Sequence, residues 1–129
     1  MQNAYGFGKT VPLDFAAAVE RVTEELGKQG FGVLTEIDVQ ATLKKKLDKD
    51  VPPYKILGAC NPNFAHQALD AEPTIGLLLP CNVVVRQDDA GVQVEFMDPA
   101  IMSKLVDNPQ VQALAGQVRE RLMLAMEAL

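Results

Sequence analysis

The stretch NVVVRQDDAGVQVEF, Asn82 to Phe96, decides the fold. Val83–Gln87 is a β-branched apolar run, DDAG at Asp88–Gly91 carries turn residues, and Val92, Val94 and Phe96 alternate on the return. Two such runs around a tight turn are antiparallel neighbours in one sheet. Upstream, Ile75–Gln87 is apolar but broken by Pro80, which cannot donate to a ladder. It therefore reads as a strand with a bulge, or as a turn followed by a strand.

Working outward, Tyr54–Cys60 and Phe31–Ile37 read as strands, as does Tyr5–Val11 despite Gly6 and Gly8. In Phe31–Ile37 strict alternation places Phe31, Val33, Thr35 and Ile37 on one face and Leu34, Glu36 and Asp38 on the other. A helix opens at Pro12, with Asp14 in its first turn. Its buried stripe is Phe15, Val19, Val22 and Leu26, and Glu20, Glu24, Glu25 and Lys28 form a solvated face. Asp38 caps a short helix to Leu47, and Asn61-Pro62 starts another that runs to Ala71. Asp98-Pro99 marks a break. Asn108-Pro109 opens the last helix, whose stripe runs Val111, Leu114, Ala115, Val118, Leu122, Ala125 and Met126. The pattern predicts one α+β domain over residues 1–129. Its architecture is a two-layer sandwich, with a mixed, mostly antiparallel sheet of about five strands and helices on one face.

At 129 residues the chain buries roughly two thirds of its surface on folding, enough for one core. With 48% apolar and 22% charged residues it belongs with ordered globular proteins. The net charge of −5 argues against nucleic acid as a partner. The only basic run, Lys44–Lys46, is followed by Asp48 and Asp50, and there is no tryptophan to stack on bases. No apolar run reaches membrane-spanning length and no secretory signal opens the chain. The expected setting is cytoplasmic, with two reduced cysteines.

Those cysteines carry the chemical interest. ILGACN ends at Asn61 and LLLPCN at Asn82, so each thiol precedes an asparagine at the end of an apolar run. A helix starting at Pro62 puts Cys60 at its N-terminus, where partial positive charge favours thiolate. The same pattern also fits two small residues packed in a core. Their spacing is neither a redox pair nor a zinc finger. Cys60, Cys81 and the single histidine, His66, with Glu36 or water match no metal signature, so no metal ligands are assigned. Glu36 and Asp38 share a strand face and suit acid–base work, or else an ion pair and a helix cap. Asn61 and Asn82 read equally as a cap and a turn residue. GFGKT at Gly6–Thr10 lacks the spacing of a phosphate loop.

Several of these stretches together, GFGVLTEIDVQATLKKKL at Gly30–Leu47, YKILGACNPNFAHQAL at Tyr54–Leu69 and GLLLPCNVVV at Gly76–Val85, resemble the domain-of-unknown-function 302 family. The resemblance covers nearly the whole chain. It implies a compact α/β domain that forms a homodimer, supplies no activity or cofactor, and groups Glu36, Asp38, Cys60, Asn61, Cys81 and Asn82 as one candidate ligand-binding constellation. A dimer is also suggested by the surplus of apolar residues at the end of the last helix, Leu122, Met123, Leu124, Met126 and Leu129. Three functions fit. The first is a small-molecule or ion-binding module with its pocket around Cys60, Cys81 and Glu36. The second is a thiol-dependent or acid–base enzyme with Cys60 as nucleophile and Glu36 as proton acceptor. The third is a purely dimeric interaction protein. No catalytic signature is present, so the binding module ranks first.

Overall fold

The computed structural model describes residues 1–129. Five strands form one sheet: β1 (Gly6–Val11), β2 (Gly32–Asp38), β3 (Tyr54–Cys60), β4 (Cys81–Asp88) and β5 (Gly91–Met97). Their order is β1-β5-β4-β3-β2, and every neighbouring pair is antiparallel. The parallel pairs that a mixed sheet would contain are not present. The β4–β5 hairpin turns through Asp88 opposite Gly91, and Gly91 takes φ +126°, which side chains resist.

The helices are α1 (Phe15–Lys28), α2 (Val39–Leu47), α3 (Pro62–Ala71), α4 (Ala100–Leu105) and α5 (Pro109–Glu127), with a 3₁₀ segment at Pro73–Leu78. Period two sorts the sheet residues by face. Leu57, Ala59, Cys81, Val83, Val85, Val92, Val94 and Phe96 all lie in the buried cluster beneath α1 and α5. Val22 and Leu26 of α1 and Leu122 and Ala125 of α5 close it from above, so this is an α+β sandwich with its longest helices on one face. Phe7 stacks on Phe96 with ring centroids 5.8 Å apart, and the Arg119 guanidinium sits 5.5 Å over the Phe7 ring. Arg119 also donates from Nε to Asp98 Oδ1 at 2.9 Å, which ties α5 to the end of β5.

Three local readings change. Asp14 is the N-cap of α1, accepting from the Ala17 N–H at 2.8 Å, so the helix starts three residues after Pro12. Glu25, expected on the solvated face, is 5% exposed. Lys28 at 2.8 Å and Arg21 at 3.5 Å neutralise it there, and the Lys28 hydrogen bond holds its carboxyl below the ordinary range. In β2 the register slips between Val33 and Thr35, so Val33 pairs with Ala59 and Thr35 with Gly58. That bulge sends Val33 and Thr35 to opposite faces and defeats strict alternation. Of the two readings of the apolar run before β4, the second holds: a 3₁₀ turn segment precedes a strand that starts at Cys81, after Pro80.

The end of α5 spends most of its apolar surplus inside the chain. Met123, Met126 and Leu129 pack against the main cluster, and only Leu124 stays exposed.

Close approach of β1 to β5 requires glycine at position 8. A Cβ there would meet the Val94 carbonyl oxygen and lie 2.8 Å from Glu95 Cα, both backbone atoms of β5. Gly8→Ala should lower stability by about 1–3 kcal/mol in urea unfolding. Gly116→Ala, where a Cβ meets nothing within 4 Å on an exposed helix face, should raise it by about 0.5–1 kcal/mol.

Candidate functional site

Antiparallel pairing of β3 with β4 makes the chain leave and re-enter the sheet at one end. The residues between them, α3 and the 3₁₀ segment, stack there against the first half of α5. Five buried apolar residues lie outside the main cluster: Ile75, Met102, Val111, Leu114 and Ala115. All five line one cavity of about 370 Å³. Small-molecule sites occupy roughly 300–1,000 Å³, so the size suits a compact ligand.

The cavity is apolar. Of its 21 lining residues 16 are hydrophobic, and no carboxylate, lysine, arginine or histidine is among them. Beside the two cysteines at the ends of β3 and β4, the lining holds only two polar side chains, Thr35 from the middle of β2 and Asn61 from the cap of α3. Leu34 and Leu69 line the cavity yet are 70% and 41% exposed, so the mouth is greasy as well.

Both cysteines are free and both border this space. Cys81 pairs with Ala59, and Cys60 follows Ala59 directly, so the thiols sit one residue out of register on adjacent strands. Period two sends them to opposite sides of the sheet, an arrangement unsuited to a disulfide. They share one cavity because it reaches both sides of the strand ends: Ala59 lines it from the helix side, Thr35 and Pro80 from the other. The thiols differ in burial. Cys60 is half-buried, while Cys81 is 7% exposed, and burial together with the neighbouring Cys60 sulfur pushes the Cys81 thiol up to about 11.

Asn61 joins them. Its Oδ1 accepts the Phe64 N–H at 3.5 Å as the α3 cap, and its Nδ2 donates to the Gln29 carbonyl at 3.4 Å. Both bonds are long and easily exchanged. Gly30, at φ +84°, lets the loop pass this amide, since a Cβ there would lie 3.0 Å from Nδ2.

The other three residues of the sequence-derived set lie elsewhere. Glu36 sits on the β2 edge and pairs with Lys55 at 2.7 Å, which holds the Lys55 ammonium above its ordinary range. Asp38 caps α2, accepting from the Ala41 N–H at 2.9 Å. Asn82 is exposed opposite Gly58. None of the three lines the cavity. His66 is exposed, 3.5 Å from Asp70. No group of three or more His, Cys, Asp or Glu side chains converges anywhere in the chain. No helix is long and apolar enough to cross a membrane.

Fold and site together define a small α+β domain with one apolar, thiol-bearing cavity at the end of an antiparallel sheet. The chain belongs to the family described as Domain of unknown function DUF302, whose model matches residues 7–129. It is similar to the crystal structure of the uncharacterized conserved protein DUF302 from Bacillus stearothermophilus. The TM-score is 0.90 and the identity 26%, over 98% of each chain. No curated protein matches.

The burial of Cys81 has a measurable consequence. The unfolded thiol titrates near its ordinary 9.0 and the folded one near 11. Above pH 9 the unfolded chain releases this proton first, so stability falls as pH rises through that window. The loss from this group approaches about 1.4 kcal/mol per pH unit at most. Cys81→Ala should remove it, seen as a flatter urea midpoint between pH 9 and 11 than the native chain shows.

Proposed function

We propose that this protein is a binding module for a small, neutral, largely apolar molecule held in the cavity between α3, α5 and the ends of β3 and β4. The observation that carries the reading is the lining itself: 21 residues from most elements of the fold enclose about 370 Å³ without one charged side chain. Burying a charge in such a space is expensive, whereas an apolar body gains roughly 25 cal/mol for each Å² removed from water. Thr35, Cys60 and Asn61 are polar points of the lining, and one of them would suffice to orient a single uncharged polar head. A reducing compartment such as the cytoplasm would keep both thiols free.

An ion as ligand fits less well. Glu36 and Asp38, the carboxylates of the sequence-derived set, are engaged with Lys55 and with the Ala41 N–H away from the cavity.

Binding of the neutral dye Nile red, followed by its fluorescence, tests the reading. The native protein should take up about one dye per chain, and nonanol should displace it. Ala68→Phe, which projects a ring into the cavity from half-buried α3, should weaken uptake by about tenfold or more while the urea midpoint stays within about 1.5 kcal/mol of the native value. Uptake unchanged by that ring would place the dye elsewhere and defeat the proposal.

A further inference from the structure

The apolar surplus at the end of α5 packs mostly inside the chain, so that helix offers little to a partner. The unpartnered apolar surface lies instead on β2 and α2. We propose that two copies of this chain dock there, in a twofold dimer built from β2, the adjoining uncovered face of β3 and β4, and α2. The inference is independent of what the cavity binds.

The first observation is packing. Val39, Leu43 and Leu47 repeat at helical spacing on α2, yet no residue of this helix is buried. A helix of nine residues draws its stability from burying such a stripe, and within the chain this one stays largely open. Leu47 is exposed outright, as are Ile37 and Leu34 on β2. On the sheet face turned away from α1 and α5, register sets Ile37 beside Ile56 and Ile56 beside Val84. Ile56 and Val84 are half-buried and Ile37 is exposed, so this apolar row opens toward the β2 edge.

The second observation is area. The chain exposes 7378 Å², whereas a compact monomer of its size exposes roughly 6,700 Å². Each partner in a standard interface buries about 800 Å², close to that surplus.

Charge selects the occupant. Residues 32–53 carry four lysines and four carboxylates, and the whole net charge of −5 lies outside them. Two copies meet here without the like-charge repulsion that their acidic faces would impose, and a strongly charged partner finds no field to hold it. A twofold contact uses the same patch on both copies, which this mixed, neutral surface allows. The contact is made by side chains. Glu36 and Asp38 stand on the β2 edge and the bulge at Leu34 distorts it, and both features oppose extending the ladder into the second copy.

Sedimentation equilibrium of the native chain tests the inference. At roughly 100 μM the mass should be that of two chains, as expected for an interface of this area. Ile37→Lys and Leu47→Asp each place a charge in the contact and should raise the dimer Kd about tenfold or more. Leu124→Lys, at the exposed position on α5, should leave it unchanged. Circular dichroism checks the fold of each variant. If a β2 or α2 variant does not fold, hydrogen exchange of the native chain decides: amides of β2 and α2 should gain protection as concentration rises. A monomer at that concentration overturns the inference, as does a mass that climbs past two chains. So does a dimer that Leu124→Lys dissociates, one that withstands both Ile37→Lys and Leu47→Asp, or protection gained only outside β2, α2 and the uncovered sheet face.

Discussion

The pairing of β3 with β4 is the constraint on which the rest depends. Leu57 faces Val83 across that pair, and Ala59 faces Cys81, all with almost no exposure. These central strands are antiparallel, so the chain that leaves at Cys60 must return to the same end of the sheet. α3 and the Pro73–Leu78 segment therefore pile up at one end rather than covering a face. They need an apolar partner, and the first half of α5 supplies it with Val111, Leu114 and Ala115. The second half of α5, through Leu122 and Ala125, belongs to the main core. One helix thus serves two apolar groups, and the cavity is the imperfect seam between them.

The charged residues are consistent with this division. They make their pairs at the rim and on the uncovered face of the sheet: Arg86 with Glu95 at 2.7 Å, Lys55 with Glu36, Arg119 with Asp98. Lys55–Glu36 is the most exposed of the three and contributes little, on the order of 0–1 kcal/mol, whereas the carboxylates of Glu95 and Asp98 are largely buried against their arginines. Arg119 does more, because its guanidinium both holds Asp98 and covers the Phe7 ring, which fixes where α5 leaves the sheet. The cavity is left without charge, and its chemistry reduces to two thiols, one hydroxyl and one amide.

Much of the frame was legible in the sequence because local rules governed it. Asn61-Pro62 and Asn108-Pro109 announced the starts of α3 and α5, Asp38 the start of α2, and the DDAG turn the hairpin. α4 was not legible, since six residues after Asp98-Pro99 show too little periodicity to separate from a loop. The bulge at Leu34 was hidden as well, because it is set by the register of β2 on β3 rather than by any residue preference. For the site, the paired Cys-Asn dipeptides marked the right end of the sheet. Asn61 turned inward as the cap of α3, while Asn82 turned outward because it alternates with Cys81 along β4. Glu36 and Asp38 carried the chemistry that catches the eye, yet local partners claim both. The wall of the cavity left no motif at all: Phe31, Phe64, Ile75, Met102 and Val118 meet only through tertiary packing and read in sequence as ordinary core.

The seam between the two apolar groups is a cavity whose lining offers no charged side chain and few polar ones to hold water. Genuinely empty apolar cavities take up xenon, because its dispersion contacts replace those that the lining atoms lack. A crystal of the native protein pressurised with xenon measures this most directly. One strong xenon peak is expected within van der Waals distance of Ile75, Met102 and Leu114, and none inside the main core under α1. A seam collapsed onto itself, or filled with ordered water hydrogen-bonded along the aliphatic wall, would contradict it.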